Sequence, residues 1–348
     1  MSAWETNTTL EDIAAFLADK ECIVVVTHAR PDGDAAGSSL ALVRALNRAS
    51  KTRRASVWFT GGVPAWLDTL AGDAPFHTLE GDKTPDVDAD AVVVVDTGSW
   101  KQLDHIAEWV RERGEITSVI DHHLEGDPDV APRLHIAKTC AAAVQPVCEL
   151  VLEILGLDSP SQLPVSIAEL IYTGLATDTG WFRHSNVSPA VFTLAGQLLE
   201  AGVNHPKLLA TIDQGDRPAR LRVMAEALGS LELHDRDRVA TMILTKEAIH
   251  RAGAGSSDTG GFSELGLKIA SVRVSVMLTE VELASNGPAT KISLRSKAGP
   301  GMIDVNEVAK KLGGGGHANA SGARLGVPIE QAKPQILAAI LEYEKDHP

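Results

Sequence analysis

Acids and imidazoles recur at four places in the first half of the chain, each directly after an apolar run. The first is Thr27-His28-Ala29-Arg30-Pro31-Asp32-Gly33-Asp34, where Pro31 and Gly33 permit a tight turn that gathers His28, Asp32 and Asp34. Asp96 follows the valines at 92–95 and opens a turn at Thr97 and Gly98. Asp121-His122-His123 follows the run at 116–120, and Asp178 stands between Thr173-Gly174 and Thr179-Gly180. A single acid after a strand is commonly a helix N-cap or an Asx turn. Four gathered in one fold imply metal, because unpartnered carboxylates repel one another and lose hydration, whereas a pair of divalent cations turns that cost into coordination. Hard oxygen donors with some imidazole and no thiolate favour Mn²⁺ or Mg²⁺ over structural zinc. The two histidines weight the choice toward Mn²⁺, with Co²⁺ as a further alternative.

The elements that must carry these residues are short β-branched strands at 22–27, 55–59, 91–95 and 116–120, alternating with helical spacing over 35–49 and 101–113. That alternation predicts an α/β fold with a mainly parallel sheet flanked by helices. Ligands of such sheets bind beyond the carboxyl ends of the strands, which is where all four clusters fall. From 141 to 231 the pattern is mostly helical; strands follow at 239–244, 272–283 and 291–295, then helices at 305–312 and 329–343, predicting a smaller α/β domain. The expected division is a metal-bearing domain over 1–195, a helical linker over 196–220 and a substrate domain over 221–348, with the active site in the cleft between the domains. The Gly- and Ser-rich segment 253–261 predicts a mobile loop.

At 348 residues the chain has room for two cores. An apolar content of 44% with 22% charged residues is that of an ordinary globular protein, and no uninterrupted apolar stretch of about eighteen residues predicts a membrane span. The start, with Glu5, Glu11 and Asp12, is unlike a signal peptide; Cys22, Cys140 and Cys148 lack paired or metal-ligand spacing, which suits the cytoplasm. The net charge of -14 is concentrated in residues 1–219, which hold 16 Lys and Arg against 31 Asp and Glu. So acidic a surface is unsuited to long duplex nucleic acid, while short anionic substrates fit if metals supply the positive charge. The six tryptophans are scattered as packing residues, not grouped as a stacking platform.

In order, HARPDGDAAGS, VVDTG, IDHH and ATDTG resemble the four motifs of the DHH phosphoesterase superfamily. KISLRSK at 291–297 and GGGGHANASG at 313–322 are similar to the DHH-associated C-terminal domain, and the combination most resembles the nanoRNase and pAp-phosphatase branch. The resemblance spans residues 20–325. It implies that His28, Asp32 and Asp96 hold one metal ion while Asp34, Asp96, His122 and Asp178 hold a second, with Asp96 bridging. Two such ions, about 3.5–4 Å apart, would activate a water for in-line attack on phosphorus. His123 is then placed to contact the scissile phosphate or protonate the leaving oxygen, and Asp121 to orient a ligand histidine. In the second domain, the backbone N–H groups of the glycine run, Gly315 and Gly316 among them, would approach an anion, with a following helix start adding its positive end. His317 and Asn319 would reach phosphate or sugar, and Arg295 would clamp a terminal phosphate. Arg183 and His184 are divided evenly between substrate contact and plain surface.

The function this implies is a Mn²⁺-dependent hydrolase that degrades short single-stranded oligoribonucleotides to mononucleotides, with pAp as a second substrate. A cyclic- or linear-dinucleotide phosphodiesterase of the same superfamily is the alternative, and an inorganic pyrophosphatase is disfavoured by the GGGH run. A non-catalytic nucleotide-binding protein is the reading from another class, and the intact ligand set argues against it. Homo-oligomerisation is compatible with all of these.

Overall fold

A computed structural model describes residues 3–347 except 82, 104–105, 216, 283–286 and 300, together with all side chains in that span except those of 256, 257 and 317. The chain divides into two compact units, Met1–Gln214 and Gly215–Pro348.

The first unit is built on six strands, β1 (Cys22–Val26), β2 (Arg54–Thr60), β3 (Phe76–Leu79), β4 (Ala91–Val95), β5 (Thr117–Asp121) and β6 (Arg133–Ile136). All pair in parallel, in the order β3-β2-β1-β4-β5-β6. A parallel sheet is covered on both faces, which explains the unbroken valine run of β4. Its side chains still alternate: Ala91, Val93 and Val95 enter one core, with Ile23 and Val25, while Val92 and Val94 enter the other, with Val24 and Val26. The first core is covered by α1 (Leu10–Leu17), α2 (Gly33–Ala49), α3 (Val144–Leu155) and α4 (Val165–Asp178). On the other face, the helix expected over 101–113 is two short turns, Trp100–Leu103 and Ala107–Arg111, with 104–105 outside the described residues.

Strand order reverses direction between β1 and β4, the switch point beyond whose carboxyl ends such sheets bind their ligands. Helix α2 can press into this region because its first turns are small and buried. A Cβ on Gly37 would stand 2.4 Å from the Leu170 carbonyl oxygen, and one on Gly174 would stand 2.8 Å from an Asp34 carboxylate oxygen. Glycine at both positions therefore sets how closely α2 and α4 cross. Residues 196–214 lie within the first unit, as the end of α5 (Pro189–Glu200) and a helix at His205–Ile212. Cys148 packs in the first core, where burial pushes its thiol up to about 12, and all three cysteines are unpaired.

The second unit carries β7 (Glu232–His234), β8 (Val239–Leu244), β9 (Val274–Glu282), β10 (Pro288–Ser296), β11 (Gly315–His317) and β12 (Ala320–Leu325) in the order β11-β12-β10-β9-β8-β7. Only β8 and β9 pair in parallel. Helices α6 (Pro218–Gly229), α7 (Val305–Lys310) and α8 (Ile329–Asp346) accompany it. The segment 253–261 is anchored: Asp258 accepts from the Gly255 backbone at 2.7 Å and pairs with Arg217, and its carbonyl accepts from Arg220 at 2.8 Å. No described helix is long and apolar enough to cross a membrane.

Candidate active site

At the end of β1 the chain leaves the sheet through His28 and reaches α2 by way of Asp32. Asp32 is the N-cap of that helix, its Oδ1 accepting from the Asp34 and Ala35 backbones at 3.0 and 3.1 Å. Capping uses one carboxylate oxygen, and the side chain stays 61% exposed, so the cap and a ligand role are compatible. His28 turns its Nε2 to within 3.5 Å of Asp96 Oδ2 and 3.9 Å of Asp32 Oδ1.

Asp96 follows β4 in the left-handed region, at φ 57, while its N–H still donates to the Ile120 carbonyl at 3.0 Å. A left-handed aspartate costs on the order of 1–3 kcal/mol, a strain that over-determined functional loops tolerate. The side chain is buried, and Oδ1 has no hydrogen-bond donor although His122 Nε2 stands 3.4 Å away. One carboxylate oxygen thus faces His28 and the other faces His122.

The third cluster ends β5. Asp121, fully buried, accepts on Oδ1 from the backbones of His122 (2.8 Å) and His123 (3.3 Å) and lies 2.7 Å from His123 Nδ1. The carboxylate therefore orients His123, whereas the sequence resemblance implies a place behind a ligand histidine. Behind His122 stands the Cys140 carbonyl, 3.3 Å from Nδ1, which leaves Nε2 directed at Asp34 (3.8 Å), Asp96 (3.4 Å) and Asp178 (3.7 Å). Asp34, in the first turn of α2, accepts from the backbones of Ala143 (2.5 Å) and Val144 (2.9 Å) as α3 begins, and from the Ser38 hydroxyl at 3.3 Å. Asp178 closes α4, a helix end and not the strand end expected for it, and its carbonyl is held at 3.2 Å by Asn186.

The six candidate ligands thus fall into two groups, His28-Asp32-Asp96 and Asp34-His122-Asp178, with ligand atoms in each lying within 4.8 Å of one another. Asp96 also groups with His122 and His123. Burial disfavours charge on these groups, and their mutual attraction answers it. Against burial, Asp96 and Asp32 raise His28 to about 9, and Asp96, Asp34 and Asp178 raise His122 to about 10. Burial and the neighbouring acids lift Asp178 to about 6 and Asp34 well above the usual carboxylate range. Protons are doing here what cations would do better. Crowded hard oxygens, two inward-facing imidazole nitrogens and an undonated buried Asp96 oxygen suit a divalent metal pair.

Most of the remaining candidates lie in the second unit. Arg295 on β10 pairs in register with Ala320, and Asn319 stands in the turn between β11 and β12, its carbonyl accepting from Ser296 at 2.9 Å. Arg295 Nε is 3.5 Å from Glu264 and its Nη1 donates to the Leu294 carbonyl at 3.1 Å. The glycine run departs from the sequence expectation: Gly315 and Gly316 belong to a β-hairpin whose second strand is β12, and no helix starts there. A Cβ on Gly314 would stand 2.1 Å from the Gly322 carbonyl oxygen, and Gly316 sits at φ 151, so close backbone pairing demands these glycines. The Gly316 N–H is donated to Asn306 Oδ1 at 2.9 Å, a partner nothing in the sequence singles out. The His317 side chain lies outside the described residues. Arg183 and His184 are exposed, Arg183 Nε donating to the Gly180 carbonyl at 2.7 Å.

Residues 22–175 match the model of the DHH family, N-terminal domain, and residues 237–346 match the DHHA1 domain. Over 321 residues the chain is 30% identical to the bifunctional oligoribonuclease and PAP phosphatase NrnA of Thermus thermophilus, covering 92% of this chain and 89% of that one. The chain belongs to the DHH family. Another DHH relative, the NrnA of Bacillus subtilis, is 24% identical over 88% of this chain and 90% of its own. The fold matches the crystal structure of an exopolyphosphatase-related protein from Bacteroides fragilis with a TM-score of 0.86 at 26% identity, covering 97% and 96% of the two chains.

Proposed function

We propose that this DHH-family chain is a two-metal phosphoesterase that hydrolyses short oligoribonucleotides to mononucleotides and removes the 3′-phosphate of pAp, working in the cytoplasm with Mn²⁺. The observation that carries the reading is Asp96, buried between two ligand groups with one oxygen toward His28 and the other toward His122. In this reading His28, Asp32 and Asp96 hold one ion, and Asp34, Asp96, His122 and Asp178 hold the other. Bound there, divalent ions would supply Lewis acidity, lowering the pKa of a water and neutralising phosphate charge.

The chain's own residues do the rest. Asp34 is fixed by three hydrogen bonds, so its oxygens cannot relax away from the site. Asp121 accepts from His123 Nδ1 and raises the affinity of that ring for a second proton, so the imidazolium would carry on Nε2 the proton that a leaving oxygen takes as the P–O bond breaks. The His123 side chain is 38% exposed, enough to meet a substrate. Arg295, Asn319, His317, Gly315 and Gly316 are the proposed phosphate and sugar contacts of the second unit.

The supporting relatives are those whose names join oligoribonuclease and PAP phosphatase. A parallel turnover assay on di- to pentaribonucleotides, pAp, cyclic dinucleotides and pyrophosphate, each with Mn²⁺, Mg²⁺ and Co²⁺, tests the reading. Release of mononucleotides from the dimer and trimer is expected. No turnover with any metal would remove the enzyme reading, and exclusive turnover of cyclic dinucleotides would replace the substrate.

A further inference from the structure

Residues 6–8 bind along β6, the edge of the parallel sheet. Asn7 and Thr8 N–H groups donate to the Leu134 carbonyl at 2.9 and 3.1 Å, and Asn7 Oδ1 accepts from the Leu134 N–H at 2.8 Å. The Thr6 hydroxyl donates to the Ile136 carbonyl at 3.0 Å and accepts from its N–H at 2.8 Å. Covering an edge strand in this way removes a site for unwanted pairing. It also fixes the register of the segment, and hence where Trp4 arrives.

Trp4 is 8% exposed and lies beneath both catalytic loops. A Cβ on Gly98, two residues after Asp96, would stand 1.8 Å from its ring; one on Gly126, three residues after His123, would stand 2.5 Å from it. Glycine at both positions makes the slot the indole fills. The two loops are already tied by the Asp127 N–H, which donates to the Gly98 carbonyl at 2.7 Å. The indole adds a bond at the catalytic end: Nε1 donates to the His123 carbonyl at 3.1 Å. His123 is therefore held twice, by Asp121 at the ring and by Trp4 at the backbone. Trp4 precedes residues 22–175, the part matched by the family model.

We propose that Trp4 is a positioning residue for the reaction: by fixing the His123 backbone against the Asp96 loop, it sets the distance from which His123 delivers its proton to the leaving oxygen. The inference rests on the proposed role of His123, and it assigns catalytic precision to a segment that otherwise reads as an edge cover.

The test compares wild type with Trp4→Phe on two esters of one nucleotide, a ribonucleotide dimer with a poor alkoxide leaving group and a p-nitrophenyl nucleotide whose leaving group needs no proton. General-acid catalysis contributes only to the first, so kcat should fall about tenfold on the dimer and less than about twofold on the nitrophenyl ester. KM and Mn²⁺ affinity should stay within about twofold. Gly126→Ala, which displaces the ring while leaving it present, should reproduce the split, and it serves if Trp4→Phe lowers the melting temperature enough to obscure kinetics. Equal losses on both esters, or no loss on the dimer, would overturn the proposal. If wild type does not cleave the dimer, the oligoribonucleotide reading fails separately, and the same comparison is made on whichever natural ester the substrate panel shows it to cleave.

Discussion

The metal-ligand site of the first unit and the glycine hairpin of the second are held together by opposite means. In the first, side chains converge from the ends of β1, β4 and β5 and from α2 and α4, and the backbone serves to aim them. In the second, the backbone pairs with itself, and the Asn306 side chain satisfies the Gly316 N–H. A polar residue directly after a buried parallel strand is thereby committed to a place, because the strand's register fixes where the chain emerges. A run of glycines commits to nothing until its partner strand is known.

The largest effect that could break this contrast is at Asp96. Asp96→Ala should lower kcat by about a thousandfold or more in steady-state assays, since both ligand groups lose their shared carboxylate. Retention of more than a few per cent of activity would mean the groups are independent.

Next comes pH. In the metal-free chain His28 and His122 keep their protons up to about 9 and about 10. A ring must lose its proton to bind a cation, so Mn²⁺ affinity should climb with pH below those values, by about tenfold per unit for each proton displaced, and level off above them. Calorimetry between pH 6 and 8 in buffers of different ionisation enthalpy should show that proton release; affinity independent of pH would contradict the observed pairing of these rings with the acids.

In the second unit smaller effects are expected. Arg295→Ala should raise KM about tenfold on substrates with a terminal phosphate and leave kcat within about twofold, measured by initial rates; unchanged KM would make Arg295 a partner of Glu264 alone. Asn306→Ala should cost about 1 kcal/mol of stability in denaturant unfolding, the worth of one hydrogen bond. A large fall in kcat there would show the hairpin to be catalytic in a way its backbone pairing does not suggest.

How much of the molecule is legible in its sequence depends on the same physics. β1, β2, β4 and β5 announce themselves because they are buried and β-branched, and their ends locate His28, Asp32, Asp96 and the Asp121 cluster. β3 and β6 escape notice because they are four-residue strands at the sheet's edges, Phe-His-Thr-Leu and Arg-Leu-His-Ile, too short and too mixed to show a period. Asp34 is visible as an acid, but its anchors, the Ala143 and Val144 N–H groups, lie more than a hundred residues away and carry no side-chain signature. The same holds for the Cys140 carbonyl behind His122. Gly313–Gly316 says less, because missing side chains look alike whether the run leads into a helix or, as here, into a hairpin that closes against Gly322.

The most direct test of the account is the number of Mn²⁺ ions bound per chain, read by calorimetry and by metal analysis after gel filtration at pH 8. Wild type should bind two, and His28→Ala should bind one, keeping the ion held by Asp34, His122 and Asp178. A wild-type stoichiometry of one, or a His28→Ala variant that still binds two with unchanged affinity, would contradict a two-metal site divided in this way.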